Sequence, residues 1–232
     1  MSGTSSSGAT GSNETRAVFW IGTVPSTGNT IDFATIATTG NTSDFGDMSV
    51  GVRHIDTMNS STRCVIPGGW TSGGVNTNVI QFITIASAGD AQNFGDLLTS
   101  IQAPGGCADL TRAVIGGGED SPTSINTIQF LTITTQSNAT DFGDLTQARQ
   151  ALSSASSQTR GLAAAGFVYG SPSSTYTINT IDYVTIASTG NATDYGDLNS
   201  GATGKHVGNC SNQTRGVFTG GKTSAPTYIN SI

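Results

Sequence analysis

The sequence predicts an all-β fold, a β-propeller of about five four-stranded blades, on three observations. Arg16, Arg63, Arg112, Arg160 and Arg215 each follow a Thr, at intervals of 47, 49, 48 and 55 residues, so the chain is a tandem repeat. Each repeat is made of short runs rich in Ile, Val, Thr, Phe and Tyr bounded by Gly, Asn and Ser, the composition of strands and turns. No segment carries an apolar 3.6-residue period over the ten or so positions that define a helix. Four strands per ~40–50 residues, stacked face to face about an axis, satisfy this pattern. A β-solenoid is the alternative, although its rungs are nearer ~20–30 residues.

The four pieces of a repeat follow in order. A small, polar run precedes Thr-Arg, as in "QALSSASSQ" at 150–158. An apolar run ending in Gly follows, as "RAVFWIG", "RCVIPGG", "RAVIGGG", "RGLAAAG" and "RGVFTGG". The third piece is β-branched: "NTIDFATI" from Asn29, "NVIQFITI" from Asn78, "NTIQFLTI" from Asn126 and "NTIDYVTI" from Asn179. It is apolar on both faces, with Ile181 and Tyr183 on one and Val184 and Ile186 on the other, as a sheet covered on both sides requires. The fourth is a short strand after a turn: "GNTSDFGDM" from Gly40, "GDAQNFGDL" from Gly89, "SNATDFGDL" from Ser137 and "GNATDYGDL" from Gly190. From the Asn of the third piece to the Asp of Gly-Asp is 18 residues in all four copies, whereas from Arg to that Asn is 13, 15, 14 and 19. From that Asp to the next Arg is 16, 16, 16 and 18, so two spans are rigid and one is free.

These spacings divide the chain into an N-terminal flexible or closing segment, 1–12, and one repeat domain, 13–232. The expected blades are 13–50, 51–99, 100–148, 149–204 and 205–232. The fifth repeat stops soon after Asn230, the position matching Asn179, which leaves its outer strands missing. An unpaired strand edge is a template for association, so a homo-oligomer or a place in a larger assembly is expected.

Composition narrows the function. Charged residues make up 10% of the chain and the net charge is −6, with no basic run to neutralise phosphates, so nucleic acid is not an expected partner. No apolar stretch reaches the ~20 residues of a membrane span, and "MSGTSSSGATGS" lacks the basic start and apolar core of a signal peptide. Three cysteines, Cys64, Cys107 and Cys210, disfavour a disulfide scaffold and show no metal-binding spacing. Cys107 and Cys210 fill the same repeat position, as small residues in a crowded place.

The runs "AVIGGG" at Ala113, "NTIQF" at Asn126 and "FGDL" at Phe142 resemble the kelch propeller repeat, with Phe or Tyr where kelch repeats usually carry Trp and "AAAG" for the di-glycine of the fourth blade. The fuller phrase "TRGVF…GG…NTIDYVTIASTGNATDYGDL" resembles tandem-repeat virion proteins of tailed bacteriophages, particularly those of marine cyanobacteria. The resemblance spans nearly all of the chain after residue 12. It implies a virion protein, tail-associated or on the particle surface, and specifies no activity.

Candidate residues fall into two groups. The recurring Arg16, Arg63, Arg112, Arg160 and Arg215 are expected to pair with Asp47, Asp96, Asp144 and Asp197 and so hold blades together; an Arg ring binding an anion is the alternative. The variable segments carry aromatics outside the repeat positions: Trp70, Phe167, Tyr169, Tyr176 and Tyr228. Amid Ser, Thr, Gly and Asn they suit a host-surface glycan or a protein receptor, with packing of the loops as the other reading. No cofactor is expected. Calcium at the Gly-Asn turns is the weaker alternative, since Asp, Asn and carbonyls are oxygen ligands. The "DFG" at Asp44 and Asp141 lacks every other kinase element. His54 and His206 have no serine elbow to serve, and carboxylate pairs repeated in every blade suit structure better than a glycosidase's single asymmetric pair. The expectation is a non-enzymatic adhesin with other virion proteins as neighbours. A purely structural subunit is the alternative, and a carbohydrate-active enzyme comes after it.

Overall fold

A computed structural model describes residues 10–20, 28–170, 174–199 and 208–221. Every element in them is a β-strand. The first sheet is an antiparallel meander of β1 (Thr10–Ser12), β2 (Arg16–Trp20), β3 (Thr30–Thr35) and β4 (Ser43–Asp47). The second is built from β6 (Met58–Asn59), β7 (Arg63–Pro67), β9 (Thr77–Thr84) and β10 (Gln92–Ile101), with the short β5 (Val52–Arg53) ahead of it and β8 (Trp70–Thr71) inside it. β11 (Gly105–Ala108), β12 (Arg112–Gly116), β15 (Thr127–Thr132) and β16 (Thr140–Asp144) form the third, and a hairpin of β13 (Glu119–Asp120) and β14 (Thr123–Ser124) interrupts it. In the fourth, β17 (Ser153–Ser156), β18 (Arg160–Ala164), β21 (Thr180–Thr185) and β22 (Thr193–Asp197) enclose a hairpin of β19 (Phe167–Gly170) and β20 (Ser174–Thr177). A pair, β23 (Gly208–Ser211) and β24 (Gly216–Thr219), follows.

The four expected pieces are thus the four strands of each meander, with shifted borders. The first sheet begins at Thr10, inside the segment set apart as 1–12, and β10 runs to Ile101, past the border at 99. The cause is pairing: Thr10, Gly11 and Ser12 lie opposite Phe19, Val18 and Ala17, so small residues complete the inner edge of the sheet.

The aromatic-Gly-Asp signature is a β-bulge. Ile31 faces Gly46 while Asp32 faces Asp44, so Phe45 is the extra residue, and Phe94, Phe142 and Tyr195 repeat the offset. The glycine after each aromatic has φ between 134° and 150°, a backbone region that a side chain disfavours. The bulge turns each aromatic edge-on to the third-strand ring beside it, with centroids 5.6–6.1 Å apart.

The core lies between sheets, not within any one of them. Val18, Trp20, Ile31 and Phe45 of the first sheet meet Cys64, Ile66, Ile83 and Ile85 of the second. Val65, Ile80, Phe82 and Phe94 then meet Ala113, Ile115, Leu131 and Ile133 of the third. A further cluster joins the third sheet, through Val114, Ile128 and Phe142, to Val184 and Ile186 of the fourth. Small residues fit where inner strands approach: a methyl group on Gly161 would overlap the Cys107 sulfur, and one on Gly216 would stand 3.1 Å from Ala155. Cys107 is buried in that crowded place, while Cys210, at the matching position, is exposed.

Candidate functional site

Three of the recurring arginines, Arg16, Arg63 and Arg112, work across junctions, and among the described residues none of the five forms an ion pair with an expected aspartate. The Arg16 guanidinium stacks 4.3 Å over the Phe33 ring and donates to Ile85 O of the next sheet at 2.9 Å. Arg63 lies over Phe82 and donates to Ile133 O and Thr134 O; Arg112 lies over Phe130 and donates to Ile186 O. Arg160 stacks on Tyr183 at 4.5 Å. A planar guanidinium can cover a ring and still aim its N–H groups sideways at a carbonyl.

The aspartates lie at the opposite end. Arg16 faces Thr35 at one end of β3 and Asp47 faces Thr30 at the other, about 17 Å of strand away. Asp47, Asp96 and Asp144 instead bind the turn of the following sheet. Their backbone N–H groups donate to the side-chain oxygens of Asp90, Asn138 and Asn191, and their carbonyls accept from Ala91, Ala139 and Ala192. A methyl group at Gly46 or Gly143 would stand 2.6 or 2.5 Å from the backbone of Gly89 or Gly190, so only glycine admits the turn. The sequence "GNATDYGDL" therefore holds two halves of two latches. Its Asn side reaches back to the preceding sheet, and its Gly-Asp side is of the kind that receives the following one.

Among the described residues the one ion pair is Arg149–Asp182, at 3.0 Å and fully buried. Asp182 also accepts from the Thr146 N–H and hydroxyl. Arg149 sits five residues after Asp144, where the first two junctions have Val52 and Ile101 after Asp47 and Asp96. Asp182 fills the place of Gln81 and Gln129. The coupled exchange, apolar with Gln for Arg with Asp, was the available signal. Asp56 is a second buried acid, accepting from the Thr57 and Gly106 N–H groups at 2.8 Å each. Burial pushes its pKa up to about 8, against those two hydrogen bonds.

Two concave or variable surfaces remain, at opposite ends of the sheets. At the Thr-Arg end a cavity of about 650 Å³ is lined by all five turns that join first to second strands. Each turn opens on Asn13, Ser60, Asp109, Ser157 or Asn212, whose side-chain oxygen accepts from the N–H groups two and three residues on. These are Asx and Ser/Thr turns, legible as Asn, Ser or Asp two residues before each Thr-Arg. The cavity's described lining mixes hydroxyls and amides with the carboxylates of Glu14 and Asp109 and the apolar Met58, Ala108 and Leu110, and includes no histidine or aromatic residue.

At the other end the described variable segments form a crown. Those of the second, third and fourth repeats each bridge the connection that leads into their own repeat: Trp70 to Arg53, Glu119 to Gln102 and Phe167 to Gln150. The segments also brace one another, since Asn76 Nδ2 donates to Glu119 O at 2.8 Å and the Tyr169 N–H donates to Ser124 Oγ at 2.9 Å. Trp70 and Phe167 thus share one repeat position, seven residues after Arg63 and Arg160, and both are half-buried. Their rings were expected to be free of the repeat pattern, but the shared bridge holds them. Tyr169 is different: 43% of its surface is exposed. Val75 and Leu98 are exposed large apolar residues of the same face. Tyr176 lies in β20 with no described side chain, and Tyr228 and His206 lie outside the described residues. His54 is held by Gln102, 2.8 Å from its Nδ1.

No protein-family model and no curated protein matches the chain. The solved structure of YjhT does match, with a TM-score of 0.77 over 97% of this chain and 79% of that one, at 9% identity. The fold is β-propeller-like. At such identity the likeness extends to architecture and to nothing finer, so the site must be argued from its own residues.

Proposed function

We propose that this is a non-enzymatic binding module whose crown engages a host-surface glycan or a surface protein. The observation that carries the reading is the crown itself: variable segments locked to a rigid scaffold by recurring main-chain bridges, with Tyr169 exposed among Ser, Thr and Asn. A tyrosine ring offers a flat apolar contact at small entropic cost, and the neighbouring hydroxyls and amides offer hydrogen bonds. The five turns around one cavity support a propeller of about five kelch-like blades, the fifth represented by β23 and β24. The sequence resemblance to phage tandem-repeat proteins supports a virion setting, tail-associated or on the particle surface. The 56% exposure of Tyr195, whose counterparts in the other sheets are buried, favours a second reading, a structural subunit.

The test is a glycan array and host-lipopolysaccharide binding assay on folded protein, with and without chelator. A saturable signal that Tyr169→Ala weakens at least tenfold, at unchanged melting temperature, is expected. A blank array, or binding indifferent to Tyr169→Ala, would sink the crown reading and leave the structural one. Loss of binding with chelator would add calcium to the site.

A further inference from the structure

The cavity at the Thr-Arg end has a floor whose polar groups are engaged and a rim whose polar groups are free. At the floor, Asn59 Nδ2 donates to Ser12 O at 2.9 Å, Ser156 Oγ to Ala108 O at 3.1 Å and Ser211 Oγ to Ser156 O at 3.0 Å. These bonds tie first strands of different sheets together, β6 to β1, β17 to β11 and β23 to β17, and so fix the wall before any ligand arrives. Above the floor, each turn uses one side-chain oxygen to hold its own backbone. Asp109 Oδ1 accepts from the Thr111 and Arg112 N–H groups at 2.7 Å, and its Oδ2 has no partner among the described residues. Asn13 and Asn212 use Oδ1 in the same way, which leaves their Nδ2 groups as donors. Glu14, Gln158 and Gln213 stand at turn tips with no side-chain bond to another described residue, and Leu110, at the tip of its own turn, is 55% exposed.

We propose that this cavity is a binding site for an uncharged di- or trisaccharide, held by Asp109, the Asn13 and Asn212 amides and the turn tips. It lies at the opposite end of the sheets from the crown and does not rest on what the crown binds. Three features of the rim define the ligand. Free acceptors and free donors stand side by side, which suits hydroxyl groups, since a hydroxyl both donates and accepts. The charged groups of the described lining are Glu14 and Asp109, both negative, so an anionic sugar is repelled. Leu110, with Met58 and Ala108, offers apolar surface for the C–H face of a sugar ring. The volume of about 650 Å³ lies within the range of small-molecule sites.

The experiment titrates the full chain with lactose, maltose and cellobiose, and with a hyaluronan disaccharide as the anionic comparator, read by ligand-observed NMR. Saturable binding of at least one neutral disaccharide is expected, weakened at least tenfold by Asp109→Asn. That variant keeps the turn, because Asn13 and Asn212 hold theirs with the same oxygen, and puts a donor in place of the free Oδ2. Should it lower the melting temperature, Leu110→Ser at an exposed tip gives the same reading through the apolar contact. Tyr169→Ala should leave the affinity unchanged. Absence of saturable binding by all three neutral sugars, equal or tighter binding of the anionic one, or indifference to both rim variants would each overturn the proposal. Loss of binding in Tyr169→Ala would assign the sugar to the crown and overturn it as well.

Discussion

The inner junctions and the outermost surfaces of this molecule carry the same residues and reach opposite states. Ile85, Ile133 and Ile186 are fully buried, while Ile36, at the matching position of the first sheet, is 55% exposed. The fourth sheet repeats the contrast at its other side with Tyr195. Little local separates the two classes: each isoleucine directly follows the third strand, and each aromatic is the bulged residue of the fourth, with Tyr195 in the place of a Phe. Burial here belongs to the junction between two repeats, because a single sheet has no partner within itself for either face.

The largest effect should come from truncating one aromatic of each class. Phe142→Ala should lose about 3–5 kcal/mol in urea unfolding, as buried aromatic truncations do. Tyr195→Ala should lose less than about 1 kcal/mol, the scale of an exposed position. Equal losses would mean that the outer surface of the fourth sheet is covered in solution, and the comparison would break.

An intermediate effect, dependent on pH, should come from Asp56, which ties the second sheet's entry to Gly106 of the third. Its carboxyl ionises near the ordinary 3.8 when unfolded and only near 8 when folded. The folded state therefore holds a proton that the unfolded chain releases across that interval, and stability falls as pH rises from about 4 to 8. Asp56→Asn should gain on the wild type over that range in melting curves, and the two should run parallel above about pH 8.5. Parallel behaviour from pH 5 to 8 would show that the carboxylate is ionised in the folded protein.

The smallest effect concerns "AAAG", the fourth repeat's departure from the di-glycine. Gly68, Gly117 and Gly220 have φ of 62–64°, and Ala165 holds 59° at the same place. Left-handed backbone costs alanine about 1–2 kcal/mol relative to glycine, partly offset by the entropy that glycine loses on folding. Ala165→Gly should stabilise by up to about 1 kcal/mol, read as a raised urea midpoint; a lowered midpoint would mean that the buried methyl group outweighs the strain.

Much of the fold was legible because its signals are local. Two-faced apolar strands, glycine after each bulged aromatic, and turns opened by Asn, Ser or Asp are properties of a few adjacent residues. The arginines were legible as structural but not in their partners. Arg16, Arg63 and Arg112 reach carbonyls 69, 70 and 74 residues away, and the aspartates meant for them stand at the far end of the strand. The crown was legible as a variable face, but the shared seat of Trp70 and Phe167 shows only once β5 and β8 are seen to pair and Gln150 is seen to bridge Phe167. The Arg149–Asp182 pair needed one repeat read against two others.

The sequence by itself determined the repeat length, the four strands, the residues that can stand two-sided burial and the positions where glycine is required. These follow from backbone sterics and from apolar patterning within one repeat. Only the tertiary structure decided which end of each strand meets its neighbour, which aspartate oxygen or backbone group is used, and which of several identical isoleucines and aromatics lies in water. Those outcomes depend on a sheet one repeat away, and a residue's own neighbours in the chain carry no information about whether that sheet is there.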